Sequence, residues 1–288
     1  MINISFAWMV GVLASRFWLM KETEGWQKAI VERLSTAMLT GLIACTSGIL
    51  LSLWTESAAM GDVAWLDAWP VCVQMMTTTH YGHAGVAAVA LLFIAMVLHW
   101  RSKGPNASLH YVGSLTVLLL LVAAARVTIG HAFEHGPLSI EVWVELLHLL
   151  LMSVWAGVVF VAGWVVLPRA LASEPVATKA RATYLTFMSN WAAVALVGIL
   201  ATGVYNAYRV LGSPRQLVEV DYGQVLTFKL CLVAVAIALG GFNKFVGLPA
   251  AMSQRGLRTV ITVLRIESVV LLLVLMAAAI LTNSAPPG

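Results

Sequence analysis

Residues 140 to 167 read IEVWVELLHLLLMSVWAGVVFVAGWVVL. A bilayer is crossed by a helix of about 20 mostly apolar residues, so this run is long enough to span and decides the fold class. It also carries Glu145 and His148. At a rise of about 1.5 Å per residue, His148 sits about 12 Å into the run. An ionisable side chain at that depth is costly and marks a site or a pathway.

The whole chain has the same character. Its 288 residues are 60% hydrophobic and 10% charged, with a mean hydropathy of +0.90. That excludes a water-soluble domain with an ordinary surface. Eight apolar segments qualify as spans: 2–20, 34–55, 76–100, 108–129, 140–167, 183–208, 223–246 and 259–282. The expected fold is an all-α polytopic membrane protein of eight transmembrane helices. The net charge is +4, and no basic tail or arm points to nucleic acid. Cys45 and Cys231 lie inside apolar runs and Cys72 in a link, so the three thiols form no disulfide framework. The first run has its positive charges, Arg16 and Lys21, at its far end. A cleaved signal has the opposite polarity, so this run reads as a retained span.

The links after spans one, three, five and seven hold Lys21, Lys28, Arg33, Arg101, Lys103, Arg169, Lys179, Arg181, Arg255 and Arg258, whereas those after two and four hold no Lys or Arg. The link after six holds Arg209 and Arg215. The positive-inside rule then makes the odd links cytoplasmic and both termini periplasmic. Trp65, Trp69 and Trp143 fall near the outer interface and Trp100 near the inner one. Residues 1–139 and 140–288 read as two parallel four-helix repeats. FAWMVGVLASRFWL in span one echoes VWAGVVFVAGWVVL in span five, ACTSGILLSLW echoes ILATGVYNAY, and HYGHAG opening span three echoes DYGQVL opening span seven.

With that orientation, five of the seven histidines lie in the outer third: His80 and His83 opening span three, His131 and His135 in the link after span four, and His148 in span five. His80 and His83 are three residues apart, while Glu145, His148 and Met152 are spaced three and four apart. Each set shares one helix face. Cys72, Met75 and Met76 precede the first pair. Imidazole, thioether and thiolate donors suit copper, and Cu(I) when sulfur takes part, although zinc draws on the same imidazoles. The candidate metal ligands are therefore His131, His148, His83, His80, His135, Met152 and Met76. Each has a plainer reading: link histidines are ordinarily solvated, and methionines pack or face lipid. His148 has the costliest position.

Other polar groups fall within spans. Arg126 either pairs with Glu145 across spans four and five or snorkels to headgroups. Lys229 would repel a cation near the outer site, Glu267 and Arg265 lie in span eight, and Asn206 and Asn243 read as interhelical hydrogen-bonding groups. No nucleotide-binding loop, nucleophile elbow or zinc-protease helix is present, and no enzymatic activity is expected.

The run from ATGVYNAYRV at 201 through DYGQVLTFKL to FNKF at 245, then LP, then LRTVITVLRIESVVLLLVLMAAAILTNSAPP, resembles the bacterial copper resistance protein D (CopD) family. So does GHA followed by HLLLMSVWAG. The most specific residues are Tyr222, Gly223, Lys229, Asn243, Pro249 and Ser284 to Pro287. The resemblance implies a multi-pass protein of the bacterial inner membrane that moves copper, in the import direction, beside a periplasmic copper-binding partner of the CopC type. It carries His131 and His148 over by position; His80, His83 and His135 rest on depth and spacing alone. A b-type haem electron-transfer protein is the rival reading, with His83 and His148, or His99 and His110, as axial ligands.

Overall fold

The computed structural model describes residues 1–20, 25–102, 109–129, 136, 139–172, 179–211, 213 and 215–282. Among them the regular elements are all helical, and eight helices are long and apolar enough to cross a membrane. In chain order the α-helices are α1 (Ile2–Leu19), α2 (Gly25–Met60), the short α3 (Trp69–Thr78), α4 (His80–Arg101), α5 (Leu109–Val127), α6 (Ile140–Val161) with the short continuation α7 (Leu167–Ala172), α8 (Lys179–Val210), the single turn α9 (Gln216–Glu219), α10 (Asp221–Phe242) with α11 (Leu248–Ala250), and α12 (Gln254–Thr282). The span expected to start at residue 76 starts at His80. Thr79 is extended, its hydroxyl accepts the Gly82 N–H at 3.0 Å, and that cap separates α3 from α4.

A single core runs through both halves of the chain. Helices α1, α2, α4 and α5 pack around one another, and α6 packs against α8 and α12, with α10 resting on α12. The halves join along α1 and α6. There Gly11 and Gly157 meet backbone to backbone: a Cβ on Gly11 would run into the Gly157 carbonyl, and one on Gly157 into the Ala7 carbonyl. Lipid tails are as apolar as leucine, so close backbone approach through small residues is what holds such helices together. Outward-facing residues such as Phe93, Val197 and Val204 stay exposed, as side chains solvated by lipid should. Trp65, Trp69, Trp100 and Trp143 are exposed too. All three cysteines are free.

Two local devices occur twice. The first is a π-helical turn, Ala162–Val166 and again Asn243–Gly247, each closed by an i to i−5 hydrogen bond and followed at once by Leu-Pro, at Pro168 and Pro249. Proline has no N–H, and its ring collides with the carbonyl four residues back; one widened turn relieves both problems. The second is the entry to α4 and α10. Gly82 lies against the Met75 carbonyl and Gly223 against the Gln216 carbonyl, seven residues back in each case. A larger residue at either place would strike backbone. The residue three positions before each glycine is extended, Thr79 in one and Val220 in the other.

Candidate metal site on the fifth span

Glu141, Glu145, His148, Met152 and Trp155 follow one another along α6 at steps of four, three, four and three, the spacing of a single helix stripe. The polar members near the start of α6 meet partners on α8. Glu141 and Arg209 form an ion pair at 3.0 Å. One turn further, the Asn206 amide donates to Glu145 Oε2 at 3.0 Å. Next, His148 Nδ1 lies 2.8 Å from the Thr202 hydroxyl. Within lipid each such group needs an internal partner, which is why these side chains face a neighbouring helix.

The Thr202 contact bears on the tautomer of His148. The Thr202 hydroxyl has one proton, with the Gly198 carbonyl at 2.7 Å, the Ile199 carbonyl at 3.2 Å and His148 Nδ1 at 2.8 Å as its acceptors. When that proton goes to a backbone carbonyl, Thr202 accepts from His148 Nδ1–H. In the neutral ring the Nε2 lone pair is then the one left for a ligand, an arrangement that also orients metal-binding histidines. Gly203 widens the space beside the ring, since even a Cβ there would stay 3.6 Å from Cε1. The Lys229 ammonium on α10 is within electrostatic reach of both Glu145 and His148, and the Tyr222 ring is within reach of Glu145. Arg126 does not pair with Glu145. It turns into the first half, toward Cys45 and Tyr81, with Nη1 making no hydrogen bond.

Met152 is 6% exposed and one turn beyond His148. No group of three or more His, Cys, Asp and Glu side chains converges among the described residues. The stripe thus offers two carboxylates, one imidazole and one thioether in sequence along a helix, a donor series rather than a closed cage. His131 and His135 lie outside the described residues.

His80, His83 and Met76 belong to the other half. They sit at the junction of α3 and α4, and α4 packs on α2, α3 and α5 while α6 packs on α1, α5, α8 and α12. His80 and His83 are exposed and Met76 is half-buried. His83 Nε2 is 3.1 Å from the Thr77 carbonyl, six residues back. Gln224 Nε2 makes the same contact to the Val218 carbonyl, also six residues back, at 3.2 Å. Met75, beside Met76, is buried with its sulfur 3.6 Å from the Ser57 hydroxyl. Near the other end of α4, His99 is buried with both ring nitrogens engaged, Nε2 with Ser35 at 3.2 Å and Nδ1 with Tyr111 at 2.6 Å. The Arg16 guanidinium lies over the Tyr111 ring. His110 is exposed beside Gly113 and Ser114.

Thr202 carried no signal in the sequence, because a threonine in a span ordinarily bonds only its own backbone. Asn206 was legible as an interhelical amide, but its partner was not.

Residues 181–281 match the family described as Copper resistance protein D. That region contains α10 and Thr202, Asn206, Lys229, Asn243 and Glu267, but not His148. The chain is 29% identical over 224 residues to Copper resistance protein D of Pseudomonas syringae pv. tomato, covering 75% of this chain and 69% of that protein. It is 27% identical over 271 residues to the copper transport protein CutJ of Bacillus subtilis (strain 168), covering 91% of this chain but about half of the relative, 48%. It is 22% identical over 244 residues to the inner membrane protein YebZ of Escherichia coli (strain K12), covering 84% and 77%. No solved structure matches.

Proposed function

Because the chain is a multi-pass membrane protein of the copper resistance protein D family, we propose that it carries copper ions across the bacterial inner membrane, inward, as part of copper homeostasis. The observation that carries this reading is the His148 ring on α6, anchored through Nδ1 by Thr202 so that Nε2 remains to hold a metal. Met152 follows one turn on as a thioether donor suited to Cu(I). His131 and His135, which precede α6 in the sequence, would complete capture. His80, His83 and Met76 form a separate recruiting group on the first half.

The positive charges of the odd links put the His148 end of α6 on the periplasmic side, where a CopC-type copper-binding partner would deliver the ion. Two parallel four-helix repeats, 1–139 and 140–288, account for the paired features: the Gly82 and Gly223 entries, and the His83 and Gln224 contacts six residues back. Copper would move between the helices of the second repeat, where α6, α8 and α10 bring Glu145, His148 and Lys229 together.

The test is a double variant, His131→Ala with His148→Ala. Copper stoichiometry of the purified protein and copper accumulation in cells should both fall. If neither changes, the proposal is wrong. A visible spectrum of the same preparation tests the haem rival, which requires a strong Soret band.

A further inference from the structure

The α6 stripe does not end at Met152. Two turns beyond His148, about 10 Å deeper at 1.5 Å per residue, the Trp155 indole Nε1–H donates to Glu267 Oε1 at 3.2 Å. Glu267 lies midway along α12 and is 2% exposed. Gly240 on α10 leaves room beside the carboxyl, since a Cβ there would come within 3.2 Å of Oε1. Asn243 also flanks it. That amide is 3% exposed, and neither of its polar atoms has a hydrogen bond of good geometry. The carboxyl thus sits where α6, α10 and the π-helical turn at Asn243–Gly247 meet α12.

No charged side chain acts on Glu267 among the described residues. The cations on the packed helices are committed elsewhere. Arg265 donates to the Gly163 carbonyl at 3.2 Å and lies over the Trp164 ring. Lys244 bonds Asn190, and Arg16 lies over Tyr111. Lys229 interacts with Glu145 and His148 nearer the start of α10. Arg169 on α7, and Arg255 and Arg258 at the start of α12, lie toward the opposite membrane face, as Glu141, Glu145 and Asp221 lie toward the His148 end. An ionised carboxylate buried in lipid with one neutral donor and no cation is strongly disfavoured, so a carboxyl in this setting stays neutral until positive charge comes close.

We propose that Glu267 is a proton-exchange site, protonated in the resting protein and releasing its proton when copper moves along α6. This rests on the copper reading of His148. The proton leaves the carboxyl O–H for water and the electron pair stays on oxygen. A monovalent copper ion supplies the positive charge that was lost, so the buried region keeps its net charge. Trp155 and Asn243 stay in place as polar neighbours for either form. Copper passage is thereby coupled to proton movement.

The experiment uses the full chain in lipid nanodiscs and follows the infrared carbonyl stretch of protonated carboxylic acids, first without copper and then on addition of Cu(I), with released protons read by a pH dye. The expected result is a protonated-acid band in the copper-free protein at mildly acidic to neutral pH, absent from Glu267→Gln, that falls as Cu(I) binds and gives about one proton per copper. If Glu267→Gln does not fold, Trp155→Phe assigns the band, because loss of the indole donor shifts its frequency. Absence of a Glu267 acid band near neutral pH overturns the proposal. So does a band that persists with copper bound. A wild-type protein that binds no Cu(I) yet shows the band overturns the copper reading alone.

Discussion

His148 Nδ1 and the Thr202 hydroxyl are joined across α6 and α8 by a 2.8 Å hydrogen bond, and the same hydroxyl lies 2.7 Å from the Gly198 carbonyl one turn back on α8. Thr202→Val, which keeps the shape and removes the hydroxyl, should lower copper affinity by about 10- to 100-fold. Thr202→Ser should retain most of it. Competition titrations with a copper chelator measure both.

On the copper reading, protons compete with copper for the imidazole, so capture that depends on neutral His148 should weaken once the pH falls far enough to charge the ring. The affinity of His148→Ala should be lower and should lose this pH dependence. An unaltered pH profile in the variant would take His148 out of the site.

The space beside Gly203 belongs to the ring. Gly203→Ala meets only an ordinary 3.6 Å contact with Cε1 and should bind copper nearly as the wild type does. Gly203→Leu should push the imidazole aside and lose about 10-fold or more in affinity while thermal unfolding in detergent changes little.

At the crossing of α1 and α6 the demand is for no side chain at all. Gly157→Val should separate the helices and cost about 3 kcal/mol or more, read as a fall in Tm. Gly113, where an added Cβ meets nothing within 4 Å, is the control: Gly113→Ala should leave Tm unchanged or raise it.

Arg265 satisfies the Gly163 carbonyl inside the π-helical turn. Arg265→Met should cost about 1–3 kcal/mol, and copper affinity at His148, which lies on the far side of Met152, should be nearly unchanged.

Apolar length and the placement of Lys and Arg were enough to count eight spans, because a helix in lipid must satisfy its own backbone and so announces itself by composition. The depth of His148 in its span was legible for the same reason. The start of the third span was not, since Met76 to Thr79 holds no charge, proline or glycine to mark a break and the extended Thr79 cap is a matter of local geometry. Arg126 and Glu145 were close in sequence position but face different halves, and no pattern within one helix tells which neighbour its polar face meets.

The sequence by itself determined that this is a helical membrane protein with a costly imidazole in its fifth span. Only the tertiary structure decided which atoms that imidazole faces. The partners are Thr202, 54 residues away, and the next polar group along the stripe is Glu267, held by Trp155 across 112 residues. Helical periodicity fixes what shares a face of one helix, whereas the pairing of faces depends on close packing at glycines such as Gly11 and Gly157, which pattern alone cannot match to each other.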